Sequence, residues 1–407
     1  MEIGLSLSLT SNKGVGDPTL LWDLDFTAQT YRYNRQRYAS VTDLPLTTFT
    51  RATTGYGVTA AGLLVPFASG VPRATDAGLT VEAAETSIDA TSEGTGAWPI
   101  PGAGCTLAPS SRAGPNGSTS FYALVTQDSG PDRRAQTNFT VPNNSLPYYM
   151  SAFVPKLAGG AVCKVYMQLI GGTPVSATVN LNQTTGELVA GTGAVEDYGT
   201  AWRVSITATN NGTGNTLLAA QFYPSTNPAG TSSMEVGGLR VAQGSYPTSY
   251  YQTTTVPVTR NADVLVTADT VISPTIVAEF TTPSLTNYRT IFAHIGTSST
   301  DAVLIYSNGT QIIARVNVGG ISQAVLTLGS IVPNTVYKVA FRVVANDFAA
   351  SLNGAVCVVD GAGTLPTVTT AYIGVENSSV NPWGAGIRKI KRYSTAKTNA
   401  ELQALAA

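Results

Sequence analysis

Short segments in which apolar and polar side chains alternate recur along most of this chain, and this period of two constrains the fold more than any other feature. Alternation places one set of side chains on a buried face of a strand and the other set toward water. A sheet built from such strands must cover its apolar face with a second sheet. The segments fall in two series separated by Gly, Pro or Asn: 120–127, 136–141, 148–154, 162–170, 175–181, 201–209, 217–223 and 234–241, then 275–281, 289–295, 302–307, 311–318, 323–328, 336–344, 348–352, 355–359, 371–375 and 387–393.

The composition favours the same architecture. Only 12% of the residues are charged, against about 25% in a typical globular protein, whereas abundant Thr, Ser, Asn, Val and Gly favour strands and tight turns over helices. A chain of 407 residues is also too long for one ordinary core, which commonly serves about 100–200 residues. We therefore expect an all-β protein with two tandem antiparallel β-sandwich or jelly-roll domains, an extended N-terminal arm and neck, and a short C-terminal helix.

Local signals predict individual turns and the helix. Asn308-Gly309 and Asn353-Gly354 each separate two alternating segments, and this dipeptide supplies the positive φ angles of a type I′ hairpin turn. Thr398 and Glu401 form a capping-box pattern before the apolar residues that follow. The predicted helix is only about two turns long, so it must dock on another element to persist.

Short motifs accompany the strands in a fixed order. Along the chain they are Asp25-Phe26, Phe49-Thr-Arg51-Ala52-Thr53, Gly62, Pro72-Arg73, Gly78-Leu79, Glu82, Glu85-Thr86-Ser87, Ser92-Glu93 and Trp98, then Trp202-Arg203-Val204, Gly237-Gly238-Leu239, Tyr246-Pro-Thr248-Ser-Tyr250 and Thr259-Arg260-Asn261-Ala262-Asp263. In this order they resemble a neck and a carbohydrate-binding-module-like jelly roll that recur in structural proteins of tailed bacteriophages. Two features depart from that pattern: Ser87 stands where family members often carry asparagine, and the segment 31–38 makes the neck longer than usual.

The last third resembles a concanavalin A-like, laminin-G-type sandwich through residues 337–341, 351–354, 387–393 and 398–402. Together the two resemblances imply five regions. These are a virion-docking arm (1–20), a neck and oligomerisation region (21–100), the jelly roll (101–252), a linker (253–270) and the concanavalin A-like sandwich with its helix (271–407). We also expect a homo-oligomer, a trimer being one option, because the arm and neck look too thin to form a core alone.

Charge and hydropathy limit the partners. A net charge of −1 and a pI near 5.9 give no basic field that would hold nucleic acid or an anionic bilayer. No stretch reaches the roughly 18 apolar residues of a spanning helix, and the first residues show no basic leader. We therefore expect a protein made in a cytoplasm, and the resemblance to bacteriophage structural proteins implies a bacterial host and a place in the virion. The widely spaced Cys105, Cys163 and Cys357 indicate buried apolar residues rather than disulfides or zinc ligands.

Candidate catalytic residues are few. The single histidine, His294, shares a strand face with Phe292, which favours a packed or hydrogen-bonded core histidine over a member of a catalytic triad. Glycosidase chemistry needs two carboxylates at a defined separation. No spacing pairs any two of the candidates, which are Asp128, Asp132, Glu187, Glu196, Asp197 and Asp360. We therefore expect a protein that is not an enzyme, with no catalytic residue and no cofactor.

Binding candidates carry less specific signals. A calcium site could use loop carboxylates, but no EF-hand pattern is present, so Asp128, Asp132, Asp301 and Asp347 are read as turn formers and no metal ligand is assigned. Four arginines near a tyrosine-rich segment are also candidates: Arg32, Arg35, Arg37 and Arg51. They could bind a polyanion, but such arginines more often cover an apolar surface or pair with acidic residues. Sugar stacking would need an exposed aromatic ring. The candidates are Trp98, Trp202 and Trp383, of which the last two suit structural positions, and Tyr148, Tyr149, Tyr250, Tyr251 and Tyr288, which we expect in loops.

The sequence therefore favours a non-enzymatic bacteriophage virion protein: a tail or head fibre, a spike or a capsid decoration. Such a protein would attach to capsid, portal/neck or tail proteins through its N-terminal region and project lectin-like sandwiches. Host-surface glycans are the candidate ligands, whereas nucleic acid and membrane insertion are not expected. The alternative is a glycan-active enzyme or a free lectin on the same scaffold, because sandwich folds host many functions.

Overall fold

A computed structural model describes residues 17–93, 105–130, 133–226, 231–283, 288–378 and 380–407. The protein is nearly all β: of the described residues, 52% lie in strands and 3% in helix, which confirms the predicted fold class. The predictions that concern residues 1–16, Trp98 and Asp132 lie outside the described residues. Within the described ranges, no helix has the length and apolar character that a membrane crossing requires.

The described chain forms two compact units. The central unit is Phe49–Val264, and the terminal unit combines the described residues up to Thr48 with Leu265–Thr282 and the described residues from 288 onward. The boundary at Thr48 divides the expected neck (21–100), because residues 20–25 complete a sheet of the terminal unit while residues 49–93 cover a sheet of the central unit. The expected linker (253–270) is likewise divided between the two units.

The strands follow one another closely along the chain. Up to residue 93 they are β1 (Leu20–Asp25), β2 (Thr30–Tyr33), β3 (Gln36–Tyr38), β4 (Thr47–Thr50), β5 (Gly55–Val58), β6 (Leu64–Phe67), β7 (Arg73–Thr75), β8 (Gly78–Thr80) and β9 (Glu85–Thr86), with a 3₁₀ turn at Val41–Asp43. The next are β10 (Cys105–Pro109), β11 (Tyr122–Gln127), β12 (Ala135–Thr140), β13 (Pro147–Pro155), β14 (Val162–Ile170), β15 (Val175–Asn182), β16 (Leu188–Gly191), β17 (Ala194–Tyr198), β18 (Ala201–Thr209), β19 (Leu217–Tyr223), β20 (Ser232–Gln243) and β21 (Thr259–Arg260). The last are β22 (Val264–Ala268), β23 (Thr275–Thr281), β24 (Arg289–Ile295), β25 (Ala302–Ser307), β26 (Gln311–Val318), β27 (Ile321–Ser330), β28 (Val336–Val344), β29 (Asp347–Leu352), β30 (Val358–Asp360), β31 (Thr370–Ile373) and β32 (Gly386–Tyr393), before the helix α1 (Asn399–Ala406).

Two antiparallel sheets form the sandwich of the central unit. One sheet runs β10-β11-β20-β13-β18-β17, and the other runs β12-β19-β14-β15-β16. Their facing sides bury an aliphatic core that includes Met150, Val165, Met167, Val204 and Leu218. The short pairs β5 with β6 and β9 with β21 belong to the segments that flank this sandwich.

The outer faces of these two sheets differ. In β13 nearly every side chain is buried, so this strand is covered on both faces. In β14 buried side chains alternate with half-buried ones, so one face of this strand remains open. The cover over β13 and β20 comes from the segments 49–93 and 246–263, since Ile88 N–H donates to the carbonyl of Val241 and the ring of Tyr250 packs against Phe153.

The terminal unit is a second pair of antiparallel sheets. Their orders are β3-β2-β1-β32-β23-β28-β29-β30 and β27-β26-β25-β24-β31-β22-β4. The helix α1 docks Leu402 and Ala406 against Val277, Ala340 and Tyr393. The predicted capping box at its start is present, with the Thr398 hydroxyl accepting from Glu401 N–H and the Glu401 carboxylate accepting from Thr398 N–H.

Two predicted hairpin turns have different outcomes. At Asn353-Gly354 both φ angles are positive, 48° and 73°, and Ala355 N–H donates to the carbonyl of Leu352, so the type I′ turn is confirmed. At Asn308-Gly309 the glycine has a φ of 102° but the asparagine does not share the positive region. The Asn308 side chain instead accepts from the N–H groups of the two residues after the glycine, so a longer turn forms and the type I′ prediction is wrong there.

Candidate functional site

His294 is a core residue of the terminal unit. It is fully buried on β24, with Nε2 3.0 Å from the carbonyl oxygen of Asp269 and its ring centroid 6.5 Å from that of Phe292. Burial, reinforced by the charge of Arg392, lowers the pKa of His294 to about 4. The imidazole is therefore neutral at physiological pH and packed, as the alternation of the strand predicted.

The candidate carboxylates are dispersed among local partners. Asp128 pairs with Arg133 at 2.7 Å and Asp197 with Lys156 at 2.6 Å. Asp301 accepts from Gly319 N–H at 2.9 Å, and Asp360 accepts from Ala362 N–H at 3.1 Å. Glu187 is exposed, Glu196 pairs with Arg203, and Asp347 pairs with Arg342. In the part of the chain that the structure describes, no three His, Cys, Asp or Glu side chains gather as a metal site would require.

The predicted placement in loops is wrong for Tyr148 and Tyr149, whereas Tyr250, Tyr251 and Tyr288 lie outside the strands; four of these five tyrosines are buried. Tyr148 and Tyr149 lie on β13, which is covered on both faces, and both are buried. Tyr250 and Tyr251 lie in the segment that covers this sheet, and their hydroxyls donate to Glu93 and Glu85. Tyr288 is half-buried and stacks on Tyr306 with ring centroids 4.4 Å apart.

The candidate tryptophans have structural surroundings. Trp383 is fully buried, its Nε1 donating to the carbonyl of Thr281 at 2.9 Å. Trp202 is half-buried; its Nε1 donates to the carbonyl of Gln183 at 3.0 Å, and Lys156 Nζ lies 4.0 Å from its ring centroid. Both rings therefore have structural roles, as expected: they pack against their own sandwiches.

The arginine and cysteine candidates divide between the interior and the surface. Arg51 is buried against Asp263, whereas Arg32, Arg35 and Arg37 are exposed. Cys105 and Cys163 are buried in the central core as predicted, and burial raises the pKa of the Cys163 thiol to about 12. Cys357 is only half-buried, so that prediction is wrong for this residue, whose strand segment reaches the edge beside α1.

A buried ion cluster joins the motif residues of the central unit. We use this name for Arg51, Arg73, Arg260, Glu82 and Asp263, which are all buried. Arg51 Nη1 donates to Asp263 Oδ1 at 2.9 Å, and Arg73 Nη2 donates to Glu82 Oε2 at 2.8 Å and to Asp263. Arg260 lies 3.5 Å from each of the two carboxylates. Three guanidinium groups thus share two carboxylates, and each arginine also donates one N–H group to a backbone carbonyl, those of Ala68, Tyr56 and Ala83.

Glu82 connects the ion cluster to the covering segment 246–263. Its Oε1 accepts from Ser249 N–H at 2.7 Å and its Oε2 from the Ser249 hydroxyl at 2.6 Å. Burial alone would raise the pKa of this carboxyl, but the charges of Arg73 and Arg260 and the bonds from Ser249 outweigh burial and lower the pKa to about 2. Glu82 therefore remains ionised in the interior at all physiological pH values.

A separate buried ion pair, Arg240 with Asp89, lies at β20. Arg240 Nη1 donates to Asp89 Oδ2 at 2.7 Å, and its guanidinium carbon lies 3.6 Å from the ring centroid of Tyr251. Asp89 also accepts from Val241 N–H at 2.8 Å and from the Thr253 hydroxyl at 2.8 Å. The side chains of the ion cluster and of the Arg240–Asp89 pair are closed to solvent, so we assign both a structural role. They hold the segments 49–93 and 246–263 on the sandwich.

The open surface of the central unit is the outer face of its second sheet. We call this the polar face and define it by the outward side chains of β12, β14, β15 and β19, of which Gln221 is buried and the others are half-buried or exposed: Gln136, Asn138, Lys164, Tyr166, Gln168, Thr178, Asn180, Gln221 and Tyr223. The register places Gln136, Gln221, Tyr166 and Thr178 in one row across four strands. The next row contains Tyr223, Lys164 and Asn180.

The polar face combines rings, amides and a cation. Lys164 Nζ lies 4.7 Å from the ring centroid of Tyr166 and 4.6 Å from that of Tyr223. The Tyr223 hydroxyl donates to Gln221 Oε1 at 2.7 Å, and Gln136 Nε2 donates to Asn138 Oδ1 at 2.8 Å. Half-buried rings beside amides suit a sugar, which offers apolar C–H faces for stacking and hydroxyls for hydrogen bonding.

Sequence reasoning missed both the polar face and the ion clusters. The alternation in β14 was recognised, but its outward set, which places Lys, Tyr and Gln at every second residue, was not examined as a surface. The sequence does contain a sign of the buried ion pairs. Only 12% of the residues are charged, yet single charged residues occur within otherwise apolar motifs. Such residues are rarely buried unless they are paired.

Comparisons with known proteins give only weak likenesses. No family model and no curated protein sequence matches it significantly. Similar solved structures include the CBM40 module of Ruminococcus gnavus IT-sialidase bound to α2,3-sialyllactose, with 14% identity over 34% of this chain and 84% of that chain and a TM-score of 0.30. Domains LG4-5 of the mouse laminin α1 chain show 13% identity over 65% of this chain and 84% of that chain, with a TM-score of 0.23. At identities and TM-scores this low, neither ligand nor activity transfers to this chain.

Proposed function

We propose that this chain is a non-enzymatic structural protein of a tailed bacteriophage, a fibre, spike or capsid decoration, that attaches through its N-terminal region and binds glycans on the host surface. The observation that carries glycan binding is the polar face. It presents two tyrosine rings and several amides on one open sheet, whereas the other sheet of the same sandwich is covered. Rings flanked by amides on a rigid sheet form a preorganised platform for a polysaccharide chain.

The ion cluster supports the resemblance to virion proteins. The motifs that carry this resemblance are far apart in sequence, yet Arg51, Arg73, Glu82, Arg260 and Asp263 meet in one buried network. Mutual pairing gives a physical reason for these residue types to occur together in that order. We also propose that the protein attaches to the phage particle, is present there in a fixed copy number and forms a homo-oligomer.

A glycan array tests the binding function on the full chain. We expect the protein to bind a subset of bacterial surface polysaccharides, and we expect Tyr166→Ala and Tyr223→Ala to weaken binding about tenfold each, the effect of roughly one stacking contact of about 1.4 kcal/mol. Tyr38→Ala is the matched control, because Tyr38 is also a half-buried strand tyrosine but belongs to β3 in a sheet of the terminal unit. Thermal unfolding of each variant confirms that the fold is retained.

The alternatives predict different results. If no polysaccharide on the array is bound, or if Tyr38→Ala weakens binding as much as the two polar-face variants do, the polar face is not the binding site. A glycan-active enzyme would release reducing sugar from a bound polysaccharide and would lose this activity on substitution of one carboxylate. A free lectin would be absent from purified phage particles, whereas a virion subunit is found there by mass spectrometry in stoichiometric amounts.

A further inference from the structure

We infer that the glycan bound by the polar face carries anionic groups, carboxylate or sulfate, and that Lys164 recognises them. This inference rests on the proposed glycan-binding function and adds the chemical class of the ligand. Its starting point is the position of Lys164 on β14, the central strand of its sheet, with Tyr223 opposite on one neighbouring strand and Asn180 opposite on the other.

Lys164 differs from the other lysines within the described ranges. Each of the others has an oxygen partner: Lys156 with Asp197, Lys389 with Asp25, Lys391 with Asp23, Lys397 with Asp17, and Lys338 with the carbonyl oxygen of Ala407. Lys164 instead places its ammonium between the rings of Tyr166 and Tyr223, at 4.7 and 4.6 Å from their centroids. Its positive charge is therefore not neutralised by any carboxylate of the described chain.

The sheet around Lys164 has no acidic side chain in its strands. The five strands of its sheet contain no aspartate and no glutamate. An ammonium held over two aromatic faces is fixed in position, so little side-chain entropy remains to be lost when an anion binds. A carboxylate or sulfate on a sugar that stacks against the same rings would then form a charge-assisted hydrogen bond with this ammonium.

Matched pairs of polysaccharides test the ligand class. We expect the full chain to bind polygalacturonate more tightly than carboxyl-reduced polygalacturonate, or heparin more tightly than desulfated heparin, and to lose this preference as salt screens the charges. Lys164→Met keeps the apolar stem over the rings and should weaken binding of the acidic form about tenfold, as expected for loss of one hydrogen bond to a charged group. Lys164→Arg should retain the preference. Lys156→Met is the control, since Lys156 also lies over an aromatic ring but belongs to another surface.

The outcomes separate this inference from the proposed function. Equal binding of the acidic and neutral forms, abolished by Tyr166→Ala, would overturn the anionic ligand and leave glycan binding intact. An acidic preference that persists in Lys164→Met would overturn the role of Lys164. Failure to bind any polysaccharide, acidic or neutral, on the full array would overturn the proposed function itself.

Discussion

Glu82 shows how one residue joins distant parts of the central unit. Its carboxylate binds Arg73 at 2.8 Å and the backbone N–H of Ser249 at 2.7 Å, in surroundings closed to solvent. Replacing it with a neutral residue leaves three buried guanidinium groups, those of Arg51, Arg73 and Arg260, with the single carboxylate of Asp263. We therefore expect Glu82→Gln to lower the free energy of unfolding by about 3–5 kcal/mol, measured by urea denaturation at neutral pH.

Asp197→Asn is the matched control for this substitution. Asp197 also pairs with a basic residue, Lys156, but its side chain is 59% exposed. Such a pair contributes less than about 1 kcal/mol, because water solvates both charges when they separate. Equal losses in the two variants would contradict a stabilising role for the buried ion cluster.

The pH dependence provides a separate test of Glu82. Because the folded protein lowers the pKa of Glu82 from its usual 4.5 to about 2, the folded state binds this proton less tightly than the unfolded chain does. The contribution of Glu82 to stability is therefore complete above about pH 4.5 and is lost as the pH falls toward 2. The difference in unfolding free energy between the wild type and Glu82→Gln should shrink over this window, and a constant difference would contradict the assignment.

Strands β13 and β14 show which elements a sequence can place. Both were predicted, because the buried set of β14 alternates with polar residues and β13 is rich in Tyr, Phe and Val. Alternation reveals which side chains share a face, but it does not reveal what covers that face. The burial of Tyr149 and Phe153 depends on a segment about a hundred residues away in sequence, so no local pattern could place these rings in the interior.

The helix α1 is an element whose stability depends on docking. Its cap satisfies N–H groups at its start, and Leu402 is fully buried where the helix packs on strands β28 and β29. We expect Leu402→Ala to lower the free energy of unfolding by about 2–4 kcal/mol and Thr398→Ala by about 1 kcal/mol. Hydrogen exchange should show faster exchange of the helix amides in both variants. Unchanged protection in Leu402→Ala would show that the helix does not depend on this contact.

At the scale of the whole molecule, composition and periodicity predicted the all-β class, but not how the chain is divided. The resemblance to bacteriophage structural proteins predicts a neck over residues 21–100, too thin to form a core alone. In the structure Trp22, Leu24 and Phe26 are buried, since β1 pairs with β32 near the other end of the chain. Pairing between strands so distant in sequence depends on the whole fold, and local composition does not report it.

The same finding alters the basis for the predicted homo-oligomer. Much of the described segment 20–93 has its own buried apolar side chains, among them Trp22, Leu24, Phe26, Leu79 and Val81. The thinness of the neck is therefore no longer an argument for partner subunits. The prediction now rests on the resemblance to virion proteins and on the N-terminal arm with Leu5, Leu7 and Leu9. Light scattering of the full chain should give a multiple of 42.2 kDa, and deletion of residues 1–16 should reduce the mass toward one chain. A full chain that is monodisperse at the mass of a monomer would contradict oligomerisation, and an oligomer that survives the deletion would exclude the arm as its cause.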